Sequence, residues 1–446
     1  MYLPKSIRSK VSGRPALRRI IDNISWLFFD KIVRLGMGLV VGVWVARYLG
    51  PEQYGLLNFA TATVGLFAVF VKLGMQSIVV RDLVNTPERT GATIGTATVI
   101  QLLGAFAAYT FLSIAVFYLR PEDALDRTVV LLLGLILFLQ AFDTARYWFE
   151  AKVMSKYLVW LSNTVFLALS GVKVILILTG APLLAFVWVT VADAVIVGIG
   201  SVMLFLKIGP GGRVLRVDHK RAYQLIADSW PLFLAGAAVL VYVKMDMVML
   251  AQMVGDEAAG IYAAATKVSE LWYFIPTIIV ASVFPSILKV KTQDARLYYR
   301  RLQQLFDLMV WLSIAVALPM TFLSGPIIST LFGAAYAEAG PVLAIHIWAA
   351  VFVFLGLASG KWFIAEGRQI LHLQRTLVGA VINIGLNVVL IPEYGALGAA
   401  WATVIAFVFA AFLYDFAQNA TRPLFMMKIA ALNPVAVSRR ILELFK

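Results

Sequence analysis

Asp30, Lys31 and Arg34 lie inside an otherwise apolar stretch, and ten further ionisable residues sit in similar surroundings along the chain. An ionisable side chain in the middle of a bilayer costs ~2.5–3.5 kcal/mol or more, so it faces a cavity or a partner. The cations Arg34, Lys31, Lys173, Lys244 and Lys267 can hold an anionic group, Arg34 with the most directional donors. The acids Asp30, Asp193, Asp246 and Glu270 can neutralise those cations or take up a proton or a sodium ion. Lys72, Asp143, Arg146 and Lys361 stand nearer the ends of their apolar segments, where interfacial anchoring competes with a role in a cavity. Asp30 and Arg34 are four apart, Asp143–Arg146 and Lys267–Glu270 three apart, so each pair shares a helix face and can neutralise itself. Lys244 and Asp246 diverge by about 200° and need partners elsewhere. The chain has no cysteine and three scattered histidines, His219, His346 and His372, which excludes thiolate sites, disulfides and histidine metal clusters. No paired carboxylates or histidine constellation occupy an outer loop, so an enzyme is not expected.

The elements that carry these charges follow from composition. Hydrophobic residues make up 61% of the 446-residue chain and charged ones 14%. The apolar residues come in runs long enough for a helix to cross the ~30 Å hydrocarbon layer. Twelve spans are expected, at 24–46, 55–75, 92–117, 128–149, 157–178, 182–206, 229–252, 260–284, 304–324, 341–364, 376–392 and 395–418. Helices are the element that satisfies its own backbone in lipid, which makes this an all-α polytopic membrane protein. Of the 38 Lys and Arg, 27 fall in alternate segments that include 1–23, and three (Arg47, Arg120 and Arg127) in the opposite ones. That asymmetry puts both termini in the cytoplasm. It also reads the net charge of +14 as topology and contact with anionic lipid rather than with nucleic acid. The expected organisation is a basic N-terminus (1–23), an N-lobe of six spans (24–206), a basic linker with a "GPGG" break (207–228), a C-lobe of six spans (229–418) and a tail (419–446). The first span is too long for a signal-peptide core and is expected to be retained. In the tail, "SRRILELF" has the spacing of an amphipathic helix on the inner leaflet.

"VARYLGPEQYGLLNFATA", residues 45–62, returns as "LAQMVGDEAAGIYAAATK", residues 250–267. At an offset of 205, Ala46, Gly50, Glu52, Gly55, Ala60 and Thr61 meet Ala251, Gly255, Glu257, Gly260, Ala265 and Thr266. A fainter echo joins "TGAPLLAF" (179–186) to "YGALGAAW" (394–401). Six spans separate the copies, so both cross the membrane in the same sense: a parallel repeat of two lobes around a cavity. Gly50 and Gly255 are expected to cap one helix in a left-handed conformation, with Gly55 and Gly260 beginning the next. None of the span charges recurs at this offset. Arg34 maps to Val239 and Lys244 to Leu39. Pro276 is expected to kink the span at 260–284, and His346 to be a hydrogen-bonded structural residue.

The opening "NISWLFFDKIVRLGMGLVVGVWVARYLGPEQYGLLNFATA" resembles the polysaccharide transporter branch of the multidrug/oligosaccharidyl-lipid/polysaccharide exporter superfamily. "LGMQSIVVRDL", "YWFEAKVMSKY" and "PEYGALGAAWATVIA" fit the same branch, so the resemblance covers nearly the whole chain. It implies two six-helix lobes and a flippase for undecaprenyl-pyrophosphate-linked oligosaccharide in the bacterial cytoplasmic membrane, working by alternating access in O-antigen, capsule or exopolysaccharide assembly. The implied partners are that lipid-linked glycan, membrane lipids and polysaccharide polymerase machinery. No cofactor is implied, and proton and sodium coupling both stay open. On that reading Arg34 is the first candidate for head-group contact, followed by Lys173, Lys244 and Lys267. A multidrug and toxin extrusion transporter is the alternative, favoured if acids dominate the cavity. A lipid II flippase is expected to need fourteen spans.

Overall fold

The computed structural model describes residues 15–209, 216–291, 293–437 and 440, and every regular element among them is helical. Nine of these helices are long and apolar enough to cross a membrane, or ten if a bent pair counts as one crossing. Twelve were expected, and the difference has local causes. The expected spans at 24–46 and 55–75 run together in helix α1 (Pro15–Lys72), whose one non-helical residue is Gly50. Those at 376–392 and 395–418 run together in a later helix broken only at Gly395. The next elements are α2 (Met75–Asn85) and α3 (Thr90–Leu119). The span at 128–149 is a bent run of three short helices, α4 (Ala124–Gly134), α5 (Ile136–Gln140) and α6 (Asp143–Ala151). Then come α7 (Lys156–Leu178), α8 (Leu183–Ile208) and α9 (His219–Met253).

The span at 260–284 is interrupted as its proline demands. Helix α10 (Asp256–Glu270) ends in a 3₁₀ turn, Leu271–Tyr273, before α11 (Phe274–Val290). Pro276 has no amide to give to the carbonyl four residues earlier, and the tightened turn falls there. Helices α12 (Ala295–Phe332), α13 (Ala339–His346), α14 (Ala349–Ala365) and α15 (Gln369–Val408) follow. A π-helical turn (Phe409–Leu413), α16 (Tyr414–Ala417) and α17 (Arg422–Leu432) close the described chain. Most of the "GPGG" break, and all of "SRRILELF" but Arg440, lie outside the described residues.

The chain divides into two compact units, the first holding residues up to Leu49 and Ala60–Ala237, the second Gly50–Phe59 and residues from Ala238 on. In the first, Met75, Val79, Ile94, Phe149, Phe205 and Leu225 form a buried cluster. The start of α9 is fastened there by ions: Asp82 lies 2.6 Å from Arg221 and 3.0 Å from Arg81, which also reaches Asp228 at 2.6 Å. In the second unit, Phe284, Tyr298, Phe306, Phe354, Trp362 and Leu424 belong to the main core.

The repeated passage explains itself within the second unit. Gly50 (φ 73, ψ 171) and Gly255 (φ 123, ψ 172) share one backbone conformation, extended in ψ rather than the left-handed helical cap expected. Positive φ with extended ψ is open essentially to glycine alone. Each is followed at once by a helix, so Gly55 and Gly260 are not first residues but sit one turn further in. A Cβ on Gly55 would overlap the carbonyl of Asp256, and a Cβ on Gly260 would overlap the carbonyl of Pro51. Asp256 is the counterpart of Pro51, and Gly260 of Gly55. The two copies thus touch reciprocally, the pattern of a self-complementary contact.

A second correspondence is plain only in the structure. Helices α6 and α14 end on Trp148–Phe149 and Trp362–Phe363, each pair edge to face with centroids 5.0 and 5.2 Å apart. In both, the chain leaves by a six-to-one amide bond, Met154 to the Phe149 carbonyl at 2.8 Å and Arg368 to the Phe363 carbonyl at 2.7 Å. The left-handed residue this motif requires is Gly367 (φ 67) in one copy and Val153 (φ 55) in the other.

Candidate functional site

Five of the charged candidates meet in one cleft of the first unit. Asp30, Arg34, Asp143, Arg146 and Asp193 line a cavity of about 260 Å³ with Gln140 and Ser162. Helices α1, α7 and α8 supply Asp30, Arg34, Ser162 and Asp193. The bend from α5 to α6 turns Gln140, Asp143 and Arg146 to the same space. Arg34 Nε donates to Asp30 Oδ1 at 3.1 Å, and its guanidinium lies 5.2 Å from the Phe166 ring. Ser162 Oγ donates to the same carboxylate at 3.4 Å. Arg146 stands 3.8 Å from Asp143. Asp193 Oδ1 and Gln140 Oε1 have no hydrogen-bond partner among the described residues.

The lining thus holds three carboxylates against two guanidiniums, and each guanidinium already has a carboxylate. An anion entering here competes with Asp30 for Arg34. A hydroxyl or ammonium donor meets acceptors that are ready for it. Lys72 and Lys173 act electrostatically on Asp143 and Asp193 without lining the cleft, and Lys31 is exposed on α1.

Asp246 lies in a different place, the interior of the second unit, 3% exposed. Its Oδ1 accepts from Asn387 Nδ2 at 2.6 Å, and its Oδ2 from the Tyr262 hydroxyl at 3.0 Å and from Thr403 Oγ1. Asn387 Nδ2 also reaches Asn383 Oδ1 at 3.2 Å, while Asn387 Oδ1 is buried with no hydrogen-bond partner among the described residues. Among the described residues every donor to this carboxylate is neutral. What balances a lone buried carboxylate is a proton or a cation. His346 Nδ1 is 2.9 Å from Ser269 Oγ, with its ring edge-on to Tyr262.

The Lys267–Glu270 pair expected from spacing does not form. Glu270 is exposed and feels the charge of Lys244 on another helix, with no ion pair between the two among the described residues. Among the described residues Lys267 makes no ion pair. Lys361 is exposed on α14 and joins neither cluster.

Sequence reasoning passed over Gln140, Ser162, Asn383, Asn387 and Thr403, because uncharged polar residues cost less in lipid and stand out less. Asn383 and Asn387, four apart in an apolar run, carried a usable signal: one polar face. Arg375 was also missed. It is 4% exposed and bonded to His372 Nδ1 (3.0 Å), Ser359 Oγ (2.8 Å) and the Gly356 carbonyl (3.1 Å).

Comparison with known proteins supplies what the geometry leaves open. The family described as "Polysaccharide biosynthesis protein" matches residues 20–291, more than half the chain, and the chain belongs to that family. It is 22% identical over 397 residues to the probable low-salt glycan biosynthesis flippase Agl15 of Haloferax volcanii, covering 85% of this chain and 79% of that one. It is 20% identical to the capsular polysaccharide biosynthesis protein CapF of Staphylococcus aureus, covering 87% and 96%. Among solved structures, an inward-facing multidrug resistance MATE family transporter of the MOP superfamily superposes with a TM-score of 0.70 at 13% identity, over 91% of this chain and 99% of the other. The lipid II flippase MurJ superposes at 0.65 and 16% identity, over 95% and 96%. The fold is therefore that of these transporters, and the chain is an all-helical multi-pass membrane protein, not an enzyme.

Proposed function

We infer that this member of the polysaccharide biosynthesis protein family is a flippase carrying undecaprenyl-pyrophosphate-linked oligosaccharide from the inner to the outer leaflet of a bacterial cytoplasmic membrane. The observation that carries the reading is the polar cleft of Asp30, Arg34, Gln140, Ser162 and Asp193 inside an apolar helical unit of a glycan-biosynthesis family. Sugars need such a polar path through hydrocarbon, and the lipid tail does not. Arg34 contacts the pyrophosphate by exchanging Asp30 for a phosphate oxygen, and Gln140, Ser162 and Asp193 receive sugar hydroxyls. Lys173, Lys244 and Lys267 are further cationic contacts. Asp246, with Asn383, Asn387 and Thr403, is the coupling site for a proton or a sodium ion. Counting each arm of α1 and of α15 as a crossing gives two six-helix lobes of a parallel repeat, which rock to expose the cavity alternately. Both termini face the cytoplasm, and the product feeds a polymerase.

The test is a strain lacking this gene, complemented with wild type or Arg34→Ala. Lipid-linked oligosaccharide accumulating without the gene, surface polysaccharide restored by wild type and not by Arg34→Ala at equal membrane levels, are the expected results. A multidrug-type cation exporter is the second reading, favoured by one observation: carboxylates outnumber guanidiniums in the cleft. Unchanged glycan pools with altered tolerance to cationic drugs would decide for it.

A further inference from the structure

Helix α17 presents Leu424, Lys428 and Ala431 inward, spaced as one helix face, and all three are buried. Leu424 and Ala431 join the main core of the second unit. Between them stands a fully buried lysine. Its Nζ lies 2.5 Å from Asp415 Oδ2 and 2.6 Å from the Ala411 carbonyl. Ala411 is inside the π-helical turn Phe409–Leu413, and Asp415 follows it by two residues. A π turn shifts the helical hydrogen-bond register and commonly marks a functional distortion. Apolar side chains at both 415 and 428 would have sealed α17 as well, since an apolar replacement of a whole buried ion pair is commonly neutral or stabilising. Burial pushes the Lys428 ammonium down to about 8, with Asp415 pulling the other way.

We propose that α17 is a latch on the π-helical turn, closed by Lys428, so that the end of the last long helix can change register only when α17 undocks. One ammonium holds both parts. If α17 leaves, Asp415 loses the cation bonded to it and keeps only the unbonded charge of Arg375 nearby, while Ala411 is left with a carbonyl without its donor, both costly in an apolar interior. The turn must therefore rearrange with it. Four side chains set the docked position by donating to main-chain carbonyls of α17 and the residues before it: Gln303 to Met427 at 2.9 Å, Trp311 to Ala431 at 3.2 Å, Arg440 to Ala430 at 2.8 Å and Arg368 to Ala420. Thr421 Oγ1 closes the loop onto the Asp415 carbonyl at 2.8 Å. Phe425 packs with tilted rings against Phe412 of the turn and Phe416 beyond it.

Hydrogen exchange by mass spectrometry on the full chain in lipid nanodiscs tests this. In the unmodified protein, residues 409–417 and 422–432 are expected to open together, with protection factors within about threefold of each other. Lys428→Met, which keeps the length and removes the charge, is expected to raise exchange in both segments at least about tenfold while residues 302–310 of α12 stay protected. Leu424→Ala loosens α17 without touching the ion pair and is expected to do the same, so the test survives misfolding of the first variant. Faster exchange confined to 422–432 in either variant, or different opening of the two segments in the unmodified protein, would overturn the latch and leave α17 a passively packed tail.

Discussion

The reciprocal glycine contact makes a quantitative demand. In Gly55→Ala the new methyl group meets the Asp256 carbonyl and, at 2.7 Å, the Gly260 amide nitrogen. Both are backbone atoms of a helix start, and neither can rotate away. The two helix starts must separate, losing the Cα–H···O contacts of their close approach, about 0.5–1 kcal/mol each, on top of an overpacking cost of about 1–3 kcal/mol. Helix propensity returns up to about 1 kcal/mol of this, so the expected net loss is about 2–3 kcal/mol. Gly260→Ala should cost a similar amount, since its methyl overlaps the Pro51 carbonyl. Once either substitution has parted the helices, the second finds the contact already gone. The double variant should therefore fall short of the summed single effects by about 1–3 kcal/mol, a coupling typical of residues sharing one contact. Gly65→Ala is the control, because its Cβ would meet nothing within 4 Å. It should be neutral or stabilising by up to about 1 kcal/mol. Reversible denaturant unfolding in detergent, followed by tryptophan fluorescence, measures all four. Strict additivity of the two glycine variants, or a loss in Gly65→Ala equal to theirs, would refute the shared contact.

Two other outcomes follow from single residues. Val153 occupies the left-handed region that its counterpart fills with Gly367. That conformation costs an L-residue about 1–2 kcal/mol and the extra freedom of glycine costs about 0.5–1 kcal/mol, so Val153→Gly should be neutral to about 1 kcal/mol stabilising, and a clear drop in melting temperature would count against the conformation. Asp246→Asn keeps the shape of the buried cluster and removes its charge, so export in vesicles should lose its response to an imposed proton or sodium gradient, and a response that survives would remove Asp246 from coupling.

Class and inventory were readable from the chain because they are local properties. Apolar runs reveal spans, an i, i+4 spacing joins Asp30 to Arg34, and Pro276 foretells a broken helix. What stayed hidden is what folding brings from afar. Asp246 draws two of its donors from 141 and 157 residues away, and nothing in the spacing of Asn387 or Thr403 points to it. Lys267 and Glu270 show the opposite failure: correct spacing, yet no ion pair forms between them among the described residues. The count of separate helices falls below the count of expected spans where one glycine redirects a helix without a loop, as at Gly50. The Trp–Phe endings of α6 and α14 escaped because two shared side chains are too few to signal an echo, whereas a shared exit geometry is unmistakable.

The contact between Gly55 and Gly260 has the form of an interface between two identical chains, with each copy offering the other what it receives. In such a dimer every substitution arises twice, so a buried acid would appear as a facing or matching pair. Joined in one polypeptide, the halves are released from that constraint. Asp246 can keep its ring of amides and hydroxyls while its counterpart at the same offset is Val41, buried in plain hydrocarbon contact. A reciprocal contact between two repeated passages fixes the backbone geometry they share while the residues around each copy are free to differ.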